Sequence, residues 1–238
     1  MIVALWSPPR ARSTAFFRSM VERGDLLALH EPFCNLMDHG ETDVDGRIER
    51  SAAELRAWLL AAEQPVFFKD TTDRRHPETI ADQRFLTEVR HTFLVRDPAE
   101  IAASHYALRP EMDADEIGLV ALLELHDAVV EAGGHPPVVV ASDDLADRPE
   151  ATMAAYCRAV GLPFRADALS WAPGERTEWR RTQRWHADVA ESGGIVRRPQ
   201  RYEHTVDTND FLADAAARHR PAYETLVAQR ITPIEAGS

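Results

Sequence analysis

Five short apolar runs frame this chain: residues 2–6, 26–30, 66–69, 92–95 and 138–141. Each is rich in β-branched or aromatic side chains and is apolar at successive positions. They therefore predict strands buried on both faces. Between them the apolar positions change to helical spacing. Helices are predicted over 14–22, 52–62, 98–107, 117–132 and 149–160, with a last one over 211–229. Ser51 gives the second helix a start signal. Asp97-Pro98 places an N-cap ahead of a proline at the first helical position, and Gly161 can end the fifth helix. Strands alternating with helices require a parallel sheet with right-handed crossovers. The expected fold class is α/β, with three layers around a central, mostly parallel sheet.

Two stretches fall outside this pattern. Residues 34–50 are polar and carry Gly40 and Gly46, and read as a loop. Beyond Pro173 the strand pattern ends, and residues 171–210 mix Arg, Trp, His and Gly as a covering segment would. Residues 211–238 read as a C-terminal helix and a tail frayed over 233–238. No repeat or low-complexity tract divides the chain. A single domain over 1–238 is expected, with 1–170 as its α/β core.

Composition narrows the partners. The 238 residues are 45% hydrophobic and 28% charged, an ordinary globular balance. A net charge of −12 repels polyanions, so no nucleic-acid partner is expected. A small anion in a locally basic pocket remains compatible. Cys34 and Cys157 are the two cysteines and form no C-x-x-C, which argues against a disulfide framework and a cysteine zinc site. The histidines show no H-x-x-x-H or H-x-H spacing, and no metal is expected. The apolar start runs directly into Pro8-Pro9-Arg10, too short for a signal peptide. No apolar run reaches membrane-spanning length. A cytoplasmic protein without a membrane partner is expected.

Candidate chemistry starts in the first loop, Ser7-Pro8-Pro9-Arg10-Ala11-Arg12-Ser13-Thr14. A loop from a strand into a helix gathers backbone N–H groups and the positive helix end at one point. Arg10 adds a cation, the prolines stiffen the approach, and Ser13 and Thr14 can cap the helix or donate hydroxyls. Capping alone would explain the two hydroxyls equally well. The Walker A pattern is absent. A second arginine segment follows the fourth strand: Arg96-Asp97-Pro98, with Ser104 eight residues after Arg96.

Together these segments resemble the sulfotransferases that use 3′-phosphoadenosine 5′-phosphosulfate (PAPS). Pro9-Arg10-Ala11-Arg12-Ser13-Thr14 is similar to that family's 5′-phosphosulfate loop. Arg96 and Ser104 are similar to its 3′-phosphate pair. Trp6-Ser7-Pro8-Pro9-Arg10, the stretch through Ala15, and Glu31-Pro32-Phe33 resemble a bacterial and fungal branch. So do Asp143-Asp144-Leu145, Trp171, Pro173-Gly174, Trp185-His186 and Ser192-Gly193. The resemblance implies a P-loop NTPase-like sulfotransferase fold. It also implies transfer of a sulfuryl group to a hydroxyl of a small metabolite, with 3′,5′-adenosine bisphosphate (PAP) as product and no metal. The chain departs from the pattern at three points. Arg12 stands where a loop glycine is usual, and Lys69-Asp70-Thr71 stands where cytosolic members have Lys-Thr-His. A C-terminal Gly-x-x-Gly-x-x-Lys is not evident, leaving Arg180, Arg181 or Arg184 as substitutes. These departures keep a second reading open, a nucleotide-binding protein or phosphotransferase on the same scaffold.

Sulfuryl transfer needs cations on the leaving phosphate and a base for the acceptor's proton. Arg10 is the first choice for the cation. Three groups compete for the base: Glu31 after the second strand, His30 beside it, and Asp70 after the third, where Lys69 can also contact the sulfonate. Glu31 equally suits a structural pairing with an arginine such as Arg12. Lys69 and Asp70 equally suit a surface turn, because 71–76 is strongly polar.

Overall fold

The computed structural model describes residues 1–174, 190–197 and 201–233. Five strands, β1 (Ile2–Ser7), β2 (Leu27–His30), β5 (Val66–Thr71), β6 (Arg90–Val95) and β7 (Val138–Ala141), form one sheet in the order β2-β5-β1-β6-β7. Every neighbouring pair is parallel. β1 lies at the centre, with Leu5 opposite Lys69 on one side and Thr92 on the other.

Strand pleating divides the core into two layers. Ile2, Ala4 and Trp6 point to one face and Val3 and Leu5 to the other. The first face is covered by α3 (Ala52–Ala61), α7 (Leu119–Ala132) and α10 (Asp210–Val227). These contribute Leu55, Leu122 and Leu212. The second is covered by α1 (Ser13–Glu22) and α9 (Pro149–Val160), with Phe16, Phe17 and Tyr156. The expected α/β fold with three layers is what forms. No helix among the described residues is long and apolar enough to cross a membrane.

One region differs from the expected loop. Residues 34–50 contain most of α2 (Pro32–His39) and a hairpin of β3 (Thr42–Val44) and β4 (Arg47–Glu49). Asp45 and Gly46 join the hairpin, both at positive φ (58° and 81°). That is the two-residue turn an Asp-Gly pair favours. Pro32 begins this helix, because its fixed φ suits the first helical position. The short helices α4 (Pro77–Ile80), α5 (Gln83–Glu88) and α8 (Ser142–Asp147) were also not expected. α6 (Pro98–Tyr106) starts as predicted, with Asp97 accepting the Ala99 N–H at 2.8 Å. The helix expected from 117 begins at Leu119 after a 3-10 turn, Ala114–Ile117.

Candidate functional site

A parallel sheet brings all its carboxyl ends to one edge, where α/β folds bind ligands. Here that edge carries the loop after Ser7, Glu31 after β2, Lys69 and Asp70 in β5, Arg96 after β6 and Ser142 after β7.

The first loop is held in an uncommon backbone conformation. Arg10 and Arg12 both have positive φ, 61° and 67°. Arg12 is the N-cap residue of α1 and makes no side-chain cap bond. Ser13 and Thr14 were candidates to cap this helix or to donate hydroxyls. Both lie buried inside the first turn of the helix. Their backbone N–H groups belong to the set that helix geometry leaves without an intrahelical partner. Arg12 thus takes the left-handed conformation that a glycine adopts without steric cost.

The two arginine segments meet. Arg10 Nε donates to Ser104 Oγ at 3.0 Å, and an Arg96 Nη donates to the Arg10 carbonyl at 2.5 Å. Arg96 is nearly buried, and its Nε donates to Glu100 at 2.7 Å. Arg12 donates to Ser142 Oγ at 2.8 Å and lies 3.5 Å from Asp143 and 3.7 Å from Glu100. Burial and the nearby Arg96 charge pull the Arg12 pKa down, against the pull of Glu100 and Asp143. Asp97 anchors the segment to α10 through a bidentate pair with Arg220 at 2.6 and 3.0 Å.

A second cluster lies at the ends of β2 and β5. Glu31 is the N-cap of α2 at φ 51°, ψ 48°, with no side-chain cap bond. Its carboxylate pairs with the Lys69 ammonium and lies 3.8 Å from His30 Nδ1. Lys69 is 1% exposed, so the alternative of a surface turn is not what forms. Thr72 and His76 beyond it are also buried. The His30 ring meets Phe17 edge-on. Burial, then the Lys69 charge, push its pKa well below the ordinary value, which keeps the imidazole neutral.

Asp70 differs most from expectation. It is fully buried and accepts from Phe33 N at 2.7 Å, Cys34 N at 3.2 Å and Thr71 N at 3.0 Å. It caps α2 from a neighbouring strand. Burial raises its pKa to about 6, yet no surface of it is open to an acceptor. Cys34, Asp70 and His76 bring one sulfur, one oxygen and one nitrogen within 4.8 Å of one another. Asp70 serves the α2 N-terminus there, while His76 and Cys34 contact Thr71.

The late segment touches this framework at Trp171. Its backbone N–H donates to the Gly193 carbonyl at 3.1 Å, and its ring lies 5.8 Å from the Arg18 guanidinium of α1. Trp171 therefore anchors the segment. Trp179, Arg180, Arg181, Arg184, Trp185 and His186 lie outside the described residues. Sequence reasoning gave no role to Ser142 or Glu100. The Glu100 signal was its spacing of four residues from Arg96, which allows a helical ion pair. Ser142 carried no comparable signal.

The family model of the sulfotransferase domain matches residues 1–229, and the chain belongs to that family. Two curated relatives are from Arabidopsis thaliana. Branched-chain-amino-acid aminotransferase-like protein 2 is 26% identical over 215 residues, covering 86% of this chain and 38% of that protein. Branched-chain-amino-acid aminotransferase-like protein 1 is 25% identical over 236 residues, covering 94% and 41%. The chain thus spans about two fifths of their length. Among solved structures, a sulfotransferase from Alicyclobacillus acidocaldarius shares the fold. Its TM-score is 0.55 at 10% identity, with 97% of this chain and 96% of that chain covered.

Proposed function

We propose that this chain transfers the sulfuryl group of PAPS to a hydroxyl of a small molecule. The observation that carries this reading is the junction of Arg10 with Ser104 and Arg96. It joins a cation at a helix N-terminus to an arginine–serine pair, and so offers two neighbouring anion positions. A nucleotide phosphorylated at both 3′ and 5′ positions needs two. The donor set fits such a ligand: guanidinium forks, hydroxyls and backbone N–H groups suit phosphate and sulfate oxygens.

PAPS supplies the sulfuryl group and leaves as PAP with the electron pair of the cleaved S–O bond. Arg10 and the N-terminus of α1 meet the charge that develops on the leaving phosphate. Arg12, Ser13 and Thr14, with Pro9 and Ala11 shaping the loop, hold the 5′ end. Arg96 and Ser104 hold the 3′-phosphate. Glu31 takes the acceptor's proton as its oxygen bonds to sulfur. Among the three candidates it alone combines a carboxylate with partial exposure, 12% for the side chain. His30 is a buried, weakly basic imidazole, and Asp70 is closed off. Lys69 holds the Glu31 carboxylate at the mouth of β5.

Thermal denaturation with nucleotides tests the reading. PAP at about a hundred times its dissociation constant adds roughly 2.7 kcal/mol, several degrees for a domain of this size. ATP with magnesium should leave the midpoint unchanged. Stabilisation by magnesium ATP alone would favour a phosphotransferase and overturn the proposal.

A further inference from the structure

Glu100 does not behave as an ordinary first-turn glutamate. It sits in the first turn of α6, two residues after Pro98. A glutamate there commonly reaches back to the N-cap backbone. Its Oε2 instead accepts from Arg96 Nε at 2.7 Å and lies 3.7 Å from an Arg12 Nη. Two cations and a helix N-terminus thus converge on one carboxylate, and that combination attracts anions. The side chain of Arg96 is 8% exposed and that of Glu100 42%. The carboxylate therefore lies on the solvent side of a nearly buried guanidinium. Ser104 follows Glu100 by one helical turn and shares its face of α6.

We propose that Glu100 is an internal competitor of the nucleotide's 3′-phosphate, a specificity residue that lowers affinity for the bisphosphate. This rests on the reading that Arg96 and Ser104 hold that phosphate. The edge of Arg96 that Glu100 occupies is one a phosphate would use. A dianion with three oxygens displaces the carboxylate by engaging Arg96 and Ser104 together. The displaced charge then remains near the phosphate and opposes it. The consequence is weaker retention of PAP after transfer and faster clearance of the site. Nucleotides without a 3′-phosphate leave the Glu100 pairs intact and are indifferent to them.

Calorimetric titration of PAP and of 5′-AMP into the wild-type protein and Glu100→Gln tests this. Gln keeps the size and acceptor oxygen of Glu but removes the charge. PAP should bind the variant about tenfold more tightly, while 5′-AMP should change by less than about twofold. Equal PAP affinity in the two proteins would overturn the proposal. So would equal gains for both nucleotides, which would reflect overall charge instead of the 3′ position. In either case PAP binding itself would leave the nucleotide reading standing. Failure of the wild type to bind PAP would overturn both.

Discussion

The Asp70 carboxylate caps a helix that Glu31 begins, accepting the Phe33 N–H at 2.7 Å. An N-cap side chain usually accepts these N–H groups itself. Because Asp70 does so from β5, the Glu31 carboxylate is released to pair with Lys69 at the sheet edge.

This arrangement gives Asp70 a readable pH signature. Burial, with a contribution from the Glu31 charge, raises its folded pKa from 3.8 to about 6, although His76, Cys34 and the Phe33 N–H oppose the shift. Between those two values the folded protein binds more protons than the unfolded chain. The stability this group contributes is therefore complete below about pH 4 and lost as pH rises through about 6, a change of about 3 kcal/mol. Asn cannot ionise. The stability difference, wild type minus Asp70→Asn, should fall steadily in urea melts at pH 4, 5, 6 and 7. A difference that stays flat across this window would count against a raised pKa at Asp70.

Glu31→Gln should lower kcat by about 10²- to 10⁴-fold, as loss of a general base does. It should leave the PAP-induced rise in melting temperature in place. It also leaves the Lys69 ammonium buried and unpaired, a cost of about 3 kcal/mol or more. Glu31→Gln with Lys69→Met removes both charges and should recover most of that stability without recovering turnover. Recovered activity in the double variant would mean that Glu31 serves the fold and not the proton.

Arg10→Ala should reduce turnover by about 10³-fold, the scale for loss of a preorganised charge-stabilising donor. The bond lost to Ser104 is only partly buried, so the fold should lose about 1 kcal/mol. Ser104→Ala breaks the same contact but keeps the cation. It should weaken PAP binding while retaining most of kcat. Matching kinetic losses in the two variants would remove the distinction between a leaving-group cation and a 3′-phosphate ligand.

The strands and principal helices were legible because apolar runs and periodicity record burial directly. β1, for example, is apolar at Ile2 through Trp6 and buried at every position. The first loop was legible as a motif but not as a conformation. Arg12 takes a positive φ that its residue type does not announce, held by Ser142, Asp143 and Glu100 from other parts of the chain. The hairpin carried a turn signal at Asp45-Gly46, but the polar character of 34–50 masked it. The cluster around Glu31 was not. The burial of Lys69 and Asp70 follows from the place of β5 between β2 and β1, with Lys69 between His30 and Leu5 and Asp70 beside Trp6, and the polar run 69–73 gives no local sign of that.

Gly118, the residue before α7, packs against the chain just beyond this cluster. It has φ +78°, and a Cβ there would lie 2.7 Å from the Thr72 carbonyl oxygen and 2.9 Å from its carbon. Thr72 Oγ1 also donates to the Gly118 carbonyl at 2.9 Å. Gly118→Ala therefore meets both backbone strain and a clash with backbone that cannot swing aside. Gly46→Ala is the matched control, with φ +81° and no atom within 4 Å of the added Cβ. The control should cost about 1 kcal/mol, from strain alone. Gly118→Ala should cost about 3 kcal/mol or more, because the clash adds to that strain. The backbone that must yield, at Thr72, lies two residues beyond Asp70 and three beyond Lys69, so kcat should fall in Gly118→Ala and stay unchanged in Gly46→Ala. Equal losses of stability in the two variants would show that the contact with Thr72 relaxes without reaching the site.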